Sequence, residues 1–187
     1  MATFDIALPI ILKWEGGYVN NPNDPGGETN LGITMRTFQL CSHELLGIDP
    51  TSDNLKALTP AQAGIIYRIN YWNKIQGDAF TLQELANIVC DFYVNAGSNA
   101  SKLLQTILQG KGATITVDGA IGPATMKALN SFSQVDVYNA YKQGRIQYYQ
   151  SLGVRYPMFL NGWLNRTNSF PDLPTPPVST PNGDSSQ

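Results

Sequence analysis

Glu15 and Asp24 are the two side chains of this 187-residue sequence best suited to act on a substrate together. Eight residues separate them, and that stretch is dense in Gly, Asn and Pro. Such a loop can fold one carboxyl back to face the other. Facing carboxyls are the usual equipment for cleaving a glycosidic bond. One protonates the leaving oxygen, and the other acts as a base or stabilises developing positive charge. Glu15 stands where an apolar helical pattern stops. The helix C-terminus carries partial negative charge, and Trp14 beside it helps exclude water. Both effects disfavour the ionised form, so a raised pKa is expected, which suits a general acid. Asp24 has a second reading: in Asn-Asp-Pro-Gly an aspartate is simply the best local hydrogen bonder of a turn. Glu28, Thr29, Asn30 and Thr34 follow closely and could hold a water or a sugar hydroxyl. Trp14 and Tyr18 flank the candidate acid and could stack on sugar rings.

These groups need a helical frame. Phe4, Leu8, Ile11 and Leu12 recur at helical spacing, predicting a first helix over about residues 3–14. Gly16-Gly17 should end it with a left-handed cap. Residues 20–30 must form a loop or tight hairpin. Thr34 then caps a helix to about Leu46. Thr59-Pro60-Ala61-Gln62 is a capping box with Pro at the first helical position, opening a helix to about Trp72. Thr81 to Glu84 reads as a second box, with Phe80 and Leu85 as its staple. The helix it opens runs to Asn95, and its almost unbroken apolar character marks it as central. Asp91 lies on it, and a buried carboxylate needs partners. It could support the cleft floor or hydrogen-bond a backbone amide. Further helices are expected over about residues 99–109, 123–130, 133–152 and 157–167, with a β-prone run at 113–117. The fold class is therefore mainly α, with about eight helices and one or two short hairpins. From Phe170 onward Pro, Ser, Thr and Asn dominate, which reads as a disordered tail.

Composition excludes several classes. The net charge of −2 points to neither nucleic acid nor membrane, and no apolar run is long enough to span one. Residues 1–96 hold five Lys/Arg against ten Asp/Glu, while 97–170 hold seven against two. An acidic half joined to a basic half suggests two lobes, the second either favouring an anionic polymer or merely solvated. Cys41 and Cys90 read as buried free thiols. His43 is the only histidine, so no Ser-His-Asp triad is positioned; metal ligands and a phosphate loop are lacking, and no cofactor is implied. No signal peptide precedes the first helix, so synthesis in the cytoplasm is expected.

Several motifs now combine. Glu15-Gly16-Gly17-Tyr18, the continuation Asn-Asp-Pro-Gly-Gly-Glu-Thr-Asn-Leu-Gly-Ile-Thr to Thr34, the Ala61 to Trp72 segment and Asp91-Phe92-Tyr93-Val94-Asn95-Ala96-Gly97 resemble glycoside hydrolase family 108. Its members are N-acetylmuramidases of phages and bacteria. Val117-Asp118-Gly119-Ala120-Ile121-Gly122-Pro123-Ala124-Thr125 and Gly162-Trp163-Leu164-Asn165-Arg166 resemble the predicted peptidoglycan-binding region such enzymes carry. The resemblance implies a lysozyme-like two-lobed fold: a catalytic lobe over 1–96, a peptidoglycan-binding helical lobe over 97–169 packed on it, and a tail over 170–187. It implies Glu15 as catalytic acid. Read from their types and positions, Asp24 and Asn30 or Thr34 are its candidate partners, with Trp14, Tyr18, Glu28, Thr29, Asp91 and Asn95 expected around the substrate. The spacing Glu, eight residues, Asp also resembles phage-type lysozymes, whose third position is Thr; here it falls on Asn30, beside Thr29. The implied protein is a monomeric endolysin that meets peptidoglycan glycan strands after holin-type release. A lytic transglycosylase using Glu15 alone, and a non-catalytic wall-binding or secretion-associated protein, are the alternatives.

Overall fold

The computed structural model describes residues 1–20 and 27–174. Among them are nine α-helices and one two-stranded antiparallel hairpin, a mainly helical architecture. Helix α1 (Phe4–Trp14) leads into the hairpin β1 (Thr29–Asn30) and β2 (Ile33–Thr34), then α2 (Met35–Leu46) and the short α3 (Ser52–Lys56). Next come α4 (Pro60–Tyr67), α5 (Gln83–Ala96), α6 (Ser98–Gly110), α7 (Pro123–Leu129), α8 (Gln134–Gly153) and α9 (Pro157–Asn168).

Helix α5 is the axis of the molecule. Every residue from Leu85 to Phe92 is buried, so it is covered on all sides. Its neighbours come from both halves of the chain: α1 on one side, α6 and α8 on the other. Phe92 packs edge-on against Tyr141 and Tyr148 of α8, with ring centroids 6.2 and 5.1 Å away. The halves thus share one core. Cys41 and Cys90 are buried and unpaired. Among the described residues no helix is long and apolar enough to cross a membrane.

Local signals explain most helix starts. The Thr59 box forms in full, with Gln62 returning its bond to the Thr59 amide. Thr34 accepts from the Thr37 amide at 3.1 Å and caps α2. The Thr81 box does not form. The α5 N-terminus is capped from outside, where Gln134 Oε1 accepts from the amides of Thr81 and Leu82 at 3.1 and 2.9 Å. A tertiary acceptor has displaced a local one. Beyond Tyr67 the expected helix loosens into a π-helical turn, Arg68–Trp72. This brings Trp72 fully into the core, its indole N–H donating to Asp78 at 2.9 Å.

Three further expectations need correction. Gly16 and Gly17 adopt no left-handed cap; the chain leaves α1 in extended conformation at Glu15 itself (φ −88°, ψ 131°). Residues 113–117 pair with no strand among the described residues. The tail also begins later than Phe170. Phe170 is buried, buried Lys142 donates to its carbonyl at 2.7 Å and to Asp172 at 2.6 Å, and Asn139 donates to the Leu173 carbonyl at 3.1 Å. Apolar residues are scarce there, but backbone carbonyls sufficed to tie the segment to α8. The remainder of the expected tail, 175–187, lies outside the described residues.

Candidate active site

Glu15 is delivered to its place by the end of α1. The extended turn at this residue points the chain away from the helix axis and leaves the side chain 18% exposed, at the edge of the core. Among the described residues, neither Gly16 nor Gly17 has any atom within 4 Å of where a Cβ would stand. The hairpin closes over Glu15 from the other side. Leu31 and Gly32 both have positive φ (50° and 74°), the signature of a two-residue primed turn. The Leu31 amide donates to the Gly16 carbonyl at 3.2 Å and locks the turn onto the helix end. Val19 and Thr29 exchange backbone hydrogen bonds at 2.8 and 2.9 Å, so the chain after Glu15 runs alongside the hairpin.

Gly32 is where the approach is closest. A methyl group there would overlap the Tyr67 hydroxyl and lie 2.6 Å from Glu15 Oε2. The Tyr67 hydroxyl itself donates to the Leu31 carbonyl at 3.0 Å. Burial, reinforced by the negative charge of Glu15, pushes this hydroxyl's pKa well up, so it remains a donor. Tyr71 is shifted the same way by burial, against a hydrogen bond to Thr37. Thr37 in turn meets Thr34 at 3.1 Å.

The second half of the chain supplies the remaining wall. Arg166 of α9 donates from Nη1 to Glu15 Oε1 at 3.0 Å, and from Nη2 to Asp91 Oδ1 at 2.7 Å. Its Nε also reaches both Asp91 oxygens, at 3.0 and 3.1 Å. Arg145 of α8, fully buried, takes Asp91 Oδ2 at 2.6 Å. The result is a linked row of two guanidiniums and two carboxyls, Arg145–Asp91–Arg166–Glu15, fully buried at one end and part-exposed at the other. Burial works against the charge of Arg166, but its bonds to Asp91 and the nearby charges of Asp91 and Glu15 outweigh this, and its pKa rises. A part-exposed carboxyl fixed by a planar guanidinium can meet a bound oxygen in one defined orientation.

The other expected site residues divide. Asp91 is wholly buried and its oxygens are saturated by two arginines, so it holds Arg166 rather than a ligand. Asn95 lies one turn further on and donates to the Asp91 carbonyl at 2.6 Å. Asn30 is buried, its amide spent on the carbonyls of Leu55 and Lys56 at 2.9 and 3.0 Å; it anchors the hairpin to α3. Thr34 caps α2 as described, with its hydroxyl on the Thr37 side. Glu28 Oε1 accepts from Asn20 at 3.2 Å, and Thr29 is half-buried in the hairpin. Tyr18 is half-buried under Lys56, whose Nζ stands 5.5 Å from its ring. Trp14 lines a separate cavity of about 280 Å³ with Lys13, Glu84 and Phe170, in whose lining Glu15 has no part. Asp24 lies outside the described residues.

Sequence reasoning missed Arg145, Arg166, Gly32 and Tyr67. A signal for the arginines did exist. An acidic first half with a carboxylate on an apolar helix, joined to a basic second half, states a demand for charge and a supply of it. Lys142, Arg145 and Arg166 all turn inward, so the basic excess at the surface of that half is smaller than the sequence suggests.

Comparison with known proteins completes the site. Residues 8–97 match the family model of Glycosyl hydrolase 108, and residues 99–168 match the Predicted Peptidoglycan domain. A solved structure, that of Brucella abortus SagA, is 30% identical over 89% of this chain and 94% of its own, with a TM-score of 0.66. No curated protein matches. With the one model ending at Gly97, the other covering α6 to α9 and a relative aligned through both, the chain belongs to glycoside hydrolase family 108 and is a glycoside hydrolase acting on peptidoglycan.

Proposed function

We propose that the chain is an N-acetylmuramidase, hydrolysing the β-1,4 bond between N-acetylmuramic acid and N-acetylglucosamine with Glu15 as general acid. The observation that carries this reading is the setting of Glu15: a part-exposed carboxyl gripped by Arg166 and closed over by Gly32. In the reaction Glu15 protonates the departing glycosidic oxygen. The Arg166 guanidinium then stabilises the carboxylate that the transfer leaves behind. Asp24 serves as the second carboxylate, orienting water or stabilising the oxocarbenium-like sugar. Asn30, Thr29 and Thr34 form the hairpin behind these groups and act through the position of the turn; Thr29 and Thr34 also carry hydroxyls, that of Thr34 engaged with Thr37.

The same reading makes the chain a monomeric, bacteriolytic phage endolysin, made in the host cytoplasm and released to the wall by a holin. Clearing of purified cell walls by the wild type and Glu15→Gln, with mass analysis of the products, tests it. Reducing muramic ends from the wild type and none from the variant are expected. Anhydro-muramic ends would replace hydrolysis by the transglycosylase reaction. Undiminished clearing by the variant would remove Glu15 from the mechanism. Lysis of cells expressing the chain only when a holin is co-expressed is the corresponding expectation for release.

A further inference from the structure

A second concave site lies far along the chain from Glu15, between residues 112–118 and α7. Two cavities, of about 380 and 260 Å³, meet at Ile115 and Ala124 and form one groove. One wall is the run Gly112 to Ile115, continuing through Thr116 and Asp118. The other is the face of α7 bearing Lys127 and Ala128, with Ser131 and Phe132 after it. Together they are of the size that holds a small ligand.

The backbone of the first wall is unspent. Exposure alternates along it, with Ala113, Ile115 and Val117 half-buried and Thr114, Thr116 and Asp118 exposed, the period of an extended chain. Among the described residues the amides of Thr114, Ile115, Thr116 and Val117 have no hydrogen-bond partner. Of the carbonyls from Ala113 to Val117, that of Ile115 accepts from Gln109 at 2.7 Å and the rest accept nothing among those residues. The segment is held at its two ends instead. The Ala113 amide donates to the Leu108 carbonyl at 3.0 Å, and Asp118 is bonded by Gln105 and by the Ala120 amide, both at 2.8 Å. An extended run clamped at both ends, free between them and facing a helix across a groove, is a template for a further strand.

The charges select the occupant. Lys127, exposed, stands on the wall of the larger cavity, and the Asp118 carboxylate on that of the smaller. A cation at one end and an anion at the other suit a zwitterionic chain. A glycan strand has no ammonium for Asp118 and asks for aromatic faces, of which the lining offers Phe132 alone and no Tyr or Trp. We infer that this groove binds the stem peptide of peptidoglycan as an added extended strand, its carboxylate on Lys127 and its side-chain amino group toward Asp118. The inference rests on the assignment of peptidoglycan as substrate, and adds which part of the polymer this half of the chain grips.

The test is a titration of the ¹⁵N-labelled full chain with two probes: a sugar-free stem pentapeptide carrying a free amino group at its third residue, and a peptide-free chitin oligosaccharide. The peptide should shift the amides of residues 113–118 and 124–132 saturably. Ala128→Trp, which fills the groove, and Lys127→Glu, which reverses its charge, should each weaken that binding by about tenfold or more. Glu15→Gln should leave it unchanged. Both groove variants should melt like the wild type and cleave peptide-free glycan at its rate, since neither residue touches the Glu15 site. Three outcomes would overturn the inference: no shifts in the groove with the peptide, groove shifts with the oligosaccharide instead, or peptide binding indifferent to Ala128→Trp. In any of these cases continued wall clearing would show that the hydrolase assignment survives, whereas loss of clearing by the wild type itself would strike that assignment.

Discussion

Asp91 on α5 and Asp118 between α6 and α7 are two aspartates held in opposite ways. Asp91 is buried and bonded by two guanidiniums that arrive from 54 and 75 residues away. Asp118 is exposed and bonded by a neutral amide 13 residues away and by a backbone N–H two residues on. The first arrangement needs the whole chain to be folded before it exists. The second needs one helix and one turn. The acid role proposed for Glu15 rests on the first kind of support, because a carboxyl that must meet a glycosidic oxygen in one pose has to be fixed by groups that cannot relax independently. The groove beside α7 was built on the second kind, which is sufficient for a backbone template.

The largest effect should come from Glu15. Glu15→Gln keeps the hydrogen-bond geometry toward Arg166 but has no proton to give. Hydrolysis should fall by about 10²–10⁴-fold, the usual share of a general acid, with helical circular dichroism and melting temperature retained. Next stands the ion chain. Removing one partner of a buried pair leaves the others unpaired and costs about 3–5 kcal/mol. Asp91→Asn should therefore lower thermal stability by many degrees, measured by calorimetry, and should lower activity in the part that remains folded. Arg166→Lys separates positioning from bulk stability. A lysine keeps the charge but loses the planar fork that spans Glu15 and Asp91. At a temperature where the variant is fully folded, kcat should drop while KM stays near the wild type. A fall in stability with kcat unchanged would reduce Arg166 to a structural strut.

These residues also show how far the sequence could be read. Elements whose cause is local were legible: the Thr59 box, the Thr34 cap and the apolar run of α5 all sit where propensity and spacing put them. Glu15 drew notice in the sequence because a glutamate at a helix C-terminus is locally unfavourable, and an unfavourable residue asks for a reason. What supports it was not legible, because Arg166 lies 151 residues away and nothing local marks its direction. The same holds for the α5 N-terminus, where Gln134 replaced the Thr81 box from more than 50 residues off. The short α3 was missed since five residues leave no period to detect. Asn30 looked like a third catalytic group by spacing, yet its amide is occupied by α3, an element the sequence had not revealed.

Gly32 gives an intermediate effect and tests the catalytic side of the comparison by sterics alone. Its φ of 74° already disfavours any Cβ, and the added atom would press on Tyr67 and Glu15 together. Both neighbours are fixed, one by its bond to the Leu31 carbonyl and the other by Arg166. Gly32→Ala should cost about 1–3 kcal/mol of stability and lower kcat by displacing the carboxyl, visible as a slower release of reducing ends. Gly16→Ala, with nothing near its Cβ position, is the matched control and should change stability by less than about 1 kcal/mol.

The smallest effect lies at Asp118, where pH reads out the local kind of support. The Ala120 amide first, and Gln105 second, hold its pKa below the ordinary value of 3.8. A carboxyl whose pKa is lower folded than unfolded adds stability above the unfolded value, and that contribution is lost as pH falls through the folded one. Between pH 5 and pH 2, then, the melting temperature of the wild type should decline slightly more steeply than that of Asp118→Asn. The difference should be small because the group is exposed, and nearly absent at pH 7. The variant should retain hydrolysis of peptide-free glycan, since the Gln105 clamp touches no part of the Glu15 site. Equal slopes for the two proteins would mean that Gln105 and the Ala120 amide bind the protonated and ionised forms alike, and that the 113–118 run is held at its far end by something other than this carboxylate.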